Sequence, residues 1–106
     1  MVDISHFRKL ALAFPGTVEM PHFHLASFRV NKKIFATYWP KEKRAMLKLS
    51  LVDQSVFCSF DKTIFFPVPG AWGKKGATFV ELEKVRKDMF KDALTSAYKE
   101  TVNKKT

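Results

Sequence analysis

Apolar residues fall at helical spacing from the start of the chain, with Ile4, Phe7, Leu10, Ala11 and Phe14 on one stripe. Asp3 precedes that stripe, where a short carboxylate can cap the free N–H groups of a first turn. Pro15-Gly16 ends it, because neither residue continues a helix comfortably. The spacing predicts a helix over 3–14. From Thr17 the pattern becomes short and β-rich, with strands expected at 17–20, 27–30 and 34–38. Asn31-Lys32-Lys33 is a polar turn suited to a hairpin, and Pro40-Lys41-Glu42-Lys43 is the next turn. Over 44–49, Ala45, Leu47 and Leu49 share one face while Arg44, Met46 and Lys48 share the other. That alternation predicts a sheet dry on one side and wet on the other.

Ser50, with Asp53 three residues on, opens a second helix carrying Val52, Val56, Phe57 and Phe60, whose apolar side is expected to face the core. Residues 61–76 read as a loop with a short strand at 64–66, and 78–82 as the last strand. Met89, Phe90, Ala93, Leu94, Ala97 and Tyr98 form the stripe of a closing helix from about 85 to 102. No repeat or linker interrupts the chain. The sum is one α+β domain over 1–106: a helix, an antiparallel meander, a helix, a strand and a helix. In so short a chain the first and last helices must bury their stripes on the same sheet.

With 106 residues and 46% of them hydrophobic, the chain can build a core without staples. Its apolar runs are far shorter than the roughly 20 residues of a membrane span. The first residues lack the basic and apolar regions of a signal peptide, so a cytoplasmic monomer with no membrane partner is expected. The one excess is charge, with 19 Lys and Arg against 10 Asp and Glu, net +9. Residues 29–48 hold Arg29, Lys32, Lys33, Lys41, Lys43, Arg44 and Lys48 against Glu42 alone. Residues 62–80 add Lys62, Lys74 and Lys75 with no acid, and Lys104 and Lys105 follow the last helix. A field concentrated in the middle of the chain attracts polyanions, although a basic surface also serves solubility.

Catalytic and metal chemistry find little support. His22-Phe23-His24 would put two imidazoles on one side of an extended segment, but zinc needs three or four donors. The lone Cys58 has no basic neighbour in sequence to lower its pKa and reads as core packing. Glu19 stands alone, as a cap, a strand-end acceptor or half of a structural ion pair. Gly70, Gly73 and Gly76 follow Pro67 and Pro69 rather than opening a helix after a strand, so they are not a nucleotide fingerprint. They predict a loop with unusual backbone angles that could offer N–H groups and the ammonium groups of Lys74 and Lys75 to a phosphate. No cofactor is implied.

The richest constellation is Arg29, Lys32, Lys33, Tyr38, Trp39, Lys41, Lys43, Arg44 and Lys48, read as one hairpin and its neighbouring turn. Cations there could reach phosphates while aromatics stack on bases or wedge between them. Equally, Tyr38 and Trp39 could cap the core and the lysines protect an edge strand.

Phe14-Pro15-Gly16-Thr17-Val18-Glu19, Phe28-Arg29-Val30 and Lys33-Ile34-Phe35-Ala36 resemble the front half of the MmcQ/YjbR-like family. Phe66-Pro67-Val68-Pro69-Gly70-Ala71-Trp72-Gly73-Lys74-Lys75-Gly76, then Thr78-Phe79-Val80 and the helix bearing Leu94, Ala97 and Tyr98, resemble its back half. One departure is Ala77, where the family often has tryptophan; Trp72 or Phe79 could take that packing place. The resemblance implies a CyaY-like fold, a twisted antiparallel sheet backed by helices, as in bacterial frataxin. It also implies a non-enzymatic DNA-binding role through a "double wing" of β-hairpins. The iron ridge of frataxins finds only Asp3 and Glu19 here, with Arg8 and Lys9 between them, and a hard cation wants more carboxylates. The expected function is DNA binding through Arg29, Lys32, Lys33, Trp39, Lys41, Lys43, Arg44, Lys48, Lys74 and Lys75. An acidic protein partner is the alternative, and an enzyme comes last because no acid–base or nucleophile–base pair can be assembled.

Overall fold

The computed structural model describes residues 1–103; Lys104 and Lys105 lie outside the described residues. Helix α1 (Ile4–Ala13) begins as its sequence predicts, with the His6 N–H donating to the Asp3 carboxylate at 2.8 Å. After the Pro15-Gly16 turn come strands β1 (Thr17–His22), β2 (Leu25–Val30), β3 (Lys33–Trp39) and β4 (Arg44–Lys48). Helix α2 (Leu51–Phe60) is capped by Ser50, whose hydroxyl accepts from the Asp53 N–H at 3.1 Å. Strand β5 (Phe65–Pro67), the single-turn helix α3 (Ala71–Lys74), strand β6 (Ala77–Glu81) and helix α4 (Lys87–Asn103) complete the chain.

All pairings are antiparallel, in the order β1-β2-β3-β4-β6-β5, so β6 inserts between β4 and β5. Asn31 and Lys32 both have positive φ, 53° and 67°, between the paired residues Val30 and Lys33. That is the two-residue turn whose twist matches a hairpin, and it holds Lys32 at the tip in backbone a lysine seldom adopts. Phe28 pairs with Ala36 but Arg29 with Ile34, which leaves Phe35 as an extra, bulged residue on β3. The bulge turns the Phe35 ring toward the helices, where it meets Phe14 and Tyr98 at 6.3 and 5.6 Å.

Helices α1 and α4 cover one face of the sheet. Phe7 lies 5.0 Å from Phe28 and 5.1 Å from Phe90, and Tyr98 stacks on Phe14 at 4.6 Å while donating its hydroxyl to the Pro15 carbonyl. Phe7, Phe28, Phe35, Phe90, Leu47 and Leu94 are fully buried there. Each is worth roughly 1.5–3 kcal/mol of transfer free energy. Glu19 is half of a structural ion pair, accepting from Arg8 Nε at 2.6 Å and Nη2 at 3.1 Å and so tying β1 to α1. The chain start is tied as well, with the Val2 N–H donating to Leu82 at 2.8 Å.

Three expectations are corrected. Pro21 lies within β1 and the chain turns at Phe23-His24, so the two histidines do not share an extended segment. An edge strand tolerates that proline, which has no N–H to give to the ladder. Helix α3 stands inside the expected loop. Helix α2 does not turn its stripe inward: Val52, Val56 and Phe60 are exposed, while Gln54 is buried and Cys58 only half-buried. The helix packs at the β5 edge through Phe57, whose ring lies 5.1 Å from Phe65, and through Cys58, so the side bearing Val52, Val56 and Phe60 is left to solvent. Among the described residues no helix is long and apolar enough to cross a membrane.

Candidate nucleic-acid interface

Successive turns of a meander lie at opposite ends of its sheet. The β3–β4 ladder pairs Trp39 with Arg44 at one end, while Lys48 pairs with Ala77 of β6 at the other. The constellation expected on one hairpin and its turn is therefore divided. Alternation of the turns was available in the sequence, and it separates 31–33 from 40–43.

At the Trp39 end two of the three cations, Lys43 and Arg44, are engaged. Arg44 forms an ion pair with Glu81 and lies over the rings of Phe66 and Phe79, 5.1 and 5.4 Å from their centroids. Lys43 reaches Glu83 at 3.4 Å, and Lys41 is exposed in the turn. Trp39 donates its indole N–H to Thr37 Oγ1 at 2.9 Å and sets its ring edge-on to Phe79 at 5.3 Å. Its indole serves the packing of the face that α1 and α4 leave uncovered.

The opposite end is concave. A cleft of about 480 Å³ lies among the β2–β3 turn, the ends of β4 and α4, the start of β6, and α3, and it extends to His22 at the far end of β1. Arg29, Lys32, Lys33, Lys48 and Lys75 line it, and Glu100 is the one carboxylate among its lining residues. Five cations against one acid make a focused positive field. Arg29 is aimed by its neighbours: its Nε donates to Ser27 Oγ at 3.1 Å, and Ser27 in turn donates to the Met20 carbonyl at 2.7 Å. Lys74 is exposed beside Lys75 but is not among the lining residues.

Two contributors were not assigned from sequence. His22 lines the cleft while His24 does not. Trp72, on α3, also lines it and is 65% exposed. The signal for α3 was the glycine spacing, which reports close approach as well as backbone angle. A Cβ on Gly73 would sit 1.9 Å from the Val68 carbonyl oxygen. On Gly76, at φ 111°, it would sit 1.9 Å from that of Leu49. Gln54 clamps the same segment from α2, its buried Nε2 donating to the carbonyls of Gly73 at 2.8 Å and Ala77 at 3.1 Å. Of the two rings, Phe79 is buried and Trp72 is exposed.

Among the described residues no group of three His, Cys, Asp or Glu side chains could hold a metal ion.

Comparison with known proteins places this geometry. The chain shares its fold with a crystal structure of Deinococcus radiodurans protein DR2400, described by its domain DUF419. The TM-score is 0.86 at 17% identity, over 98% of this chain and 81% of that one. No curated protein matches the sequence. The family model described as YjbR matches residues 12–100, a span that runs from α1 through the cleft to the last turns of α4, and the chain belongs to the YjbR family.

Proposed function

We propose that this protein is a non-enzymatic DNA-binding module that holds phosphates in the cleft at the β2–β3 end of its sheet. The observation that carries the reading is the gathering of Arg29, Lys32, Lys33, Lys48 and Lys75, drawn from separate segments, around one concavity. Nucleic-acid affinity rests largely on release of counterions from neutralised phosphates, and a cluster of lysines and arginine supplies it.

The test is a titration of labelled DNA at several salt concentrations. Replacing Lys32 and Lys33 by alanine should weaken binding to all sequences alike. It should also flatten the slope of log K against log salt by roughly 0.9 for each duplex phosphate that is no longer neutralised. Lys41→Ala with Lys43→Ala removes the same charge from the far end and should change the slope far less. Equal effects from the two pairs would mean that attraction follows net charge and that the cleft has no privilege. Failure to bind any DNA at low salt would transfer the surface to an acidic protein partner.

A further inference from the structure

We infer that the cleft accepts an unpaired nucleotide, its base lying on the Trp72 indole and its phosphates among Lys32, Lys48 and Lys75, so that single-stranded DNA is the preferred ligand. This rests on the DNA-binding reading above and narrows it.

Trp72 is the first observation. An indole left 65% exposed gives up most of the burial that large aromatics ordinarily gain, and none of the ring contacts among the described residues involves it. It lies in the same cleft as the cations rather than on a separate apolar patch. A cationic groove combined with an open aromatic face is the arrangement by which proteins hold single strands, because every base has a face to stack.

Rigidity is the second. Gly73 and Gly76 approach neighbouring carbonyls so closely that neither position has room for a Cβ. The clamp from Gln54, the Leu49 N–H donating to Gly76 at 3.1 Å and the Val68 N–H donating to Ala77 at 3.0 Å fix both flanks of α3. A platform already held in place loses little freedom when a ligand arrives.

Shape decides between paired and unpaired ligands. About 480 Å³ falls within the range that encloses one small ligand. Inside a duplex both faces of a base are covered by its neighbours and only the end pairs expose one, whereas every base of a single strand can offer a face to Trp72. A duplex could reach the surrounding lysines with its backbone but would leave the indole untouched.

The chain has two tryptophans, so Trp39→Phe leaves Trp72 as the sole indole reporter. In that background, an oligothymidylate of about 12 nucleotides, within the site sizes of single-strand binders, is compared with a duplex of about 12 base pairs whose ends are closed by non-nucleotide linkers. The single strand should bind more tightly and quench Trp72 fluorescence, while the duplex leaves it unmoved. In the otherwise unaltered chain, Trp72→Ala should weaken single-strand binding roughly tenfold with the salt slope unchanged, and Trp72→Phe should retain most of the affinity. Circular dichroism checks that each variant is folded. Equal or tighter duplex binding with no quenching by the single strand overturns the inference and leaves DNA binding intact. Absence of binding to either form at low salt overturns both.

Discussion

Cys58 shows how a single position reports its surroundings. Its thiol sits on α2 beside Phe57, half-buried against the core, and burial pushes its pKa up by disfavouring the thiolate. The thiolate is the reactive form, so iodoacetamide should modify Cys58 more slowly in the folded protein than in urea, with a pH midpoint displaced upward. Because the residue is half-buried rather than sealed, the reaction should proceed without unfolding. Rates measured against pH in both states check this, and coincident midpoints would remove burial as the cause. The linkage has one sign. A folded pKa above the unfolded one contributes stability below the unfolded thiol pKa, lost as pH rises through the folded value.

At the scale of elements, α2 separates apolar character from burial. Val52 and Val56 are 73% and 61% exposed, so Val52→Lys or Val56→Lys should change stability by no more than about 0.5 kcal/mol. Gln54→Leu, which adds apolar character, should cost about 1–3 kcal/mol through the loss of two hydrogen bonds. Urea unfolding of the variants checks the order, and a larger loss at the valines would show that the stripe is covered in solution. The long helices and the strands were legible because each carries its own period over several residues. Asp3 and Ser50 also marked helix starts that the hydrogen bonds confirm. Helix α3 was not legible, since four residues hold barely one turn and its fixing contacts come from Gln54 and Leu49, far away in sequence. The cleft was half legible: the basic residues and the alternation of the turns that divides them were visible, but the approach of Lys75 and Trp72 to Lys32 and Lys48 depends on β6 pairing with β4, far away in sequence.

The whole molecule measures about 30 × 30 × 26 Å, and its charge is sorted along the sheet. Glu81 and Glu83 answer Arg44 and Lys43 at one end, while cations dominate the cleft at the other. A polyanion approaching such a body is turned toward one pole before contact, which raises the rate of productive encounter at low salt. The insertion of β6 between β4 and β5 acts in time rather than in space. While the chain is being synthesised, β1 to β4 can pair in the order in which they appear, but β4 keeps an open edge until residues 77–81 emerge. An open edge is a template for foreign strands, and pairing across long sequence separation is slow. A chain ending at residue 76 should therefore stay protease-sensitive and prone to self-association. Extension through residue 103, which also supplies α4 to the core, should bring protection in a single step. Limited proteolysis of stalled nascent chains of increasing length would display that step, and gradual protection with length would show that the meander folds without its last strand.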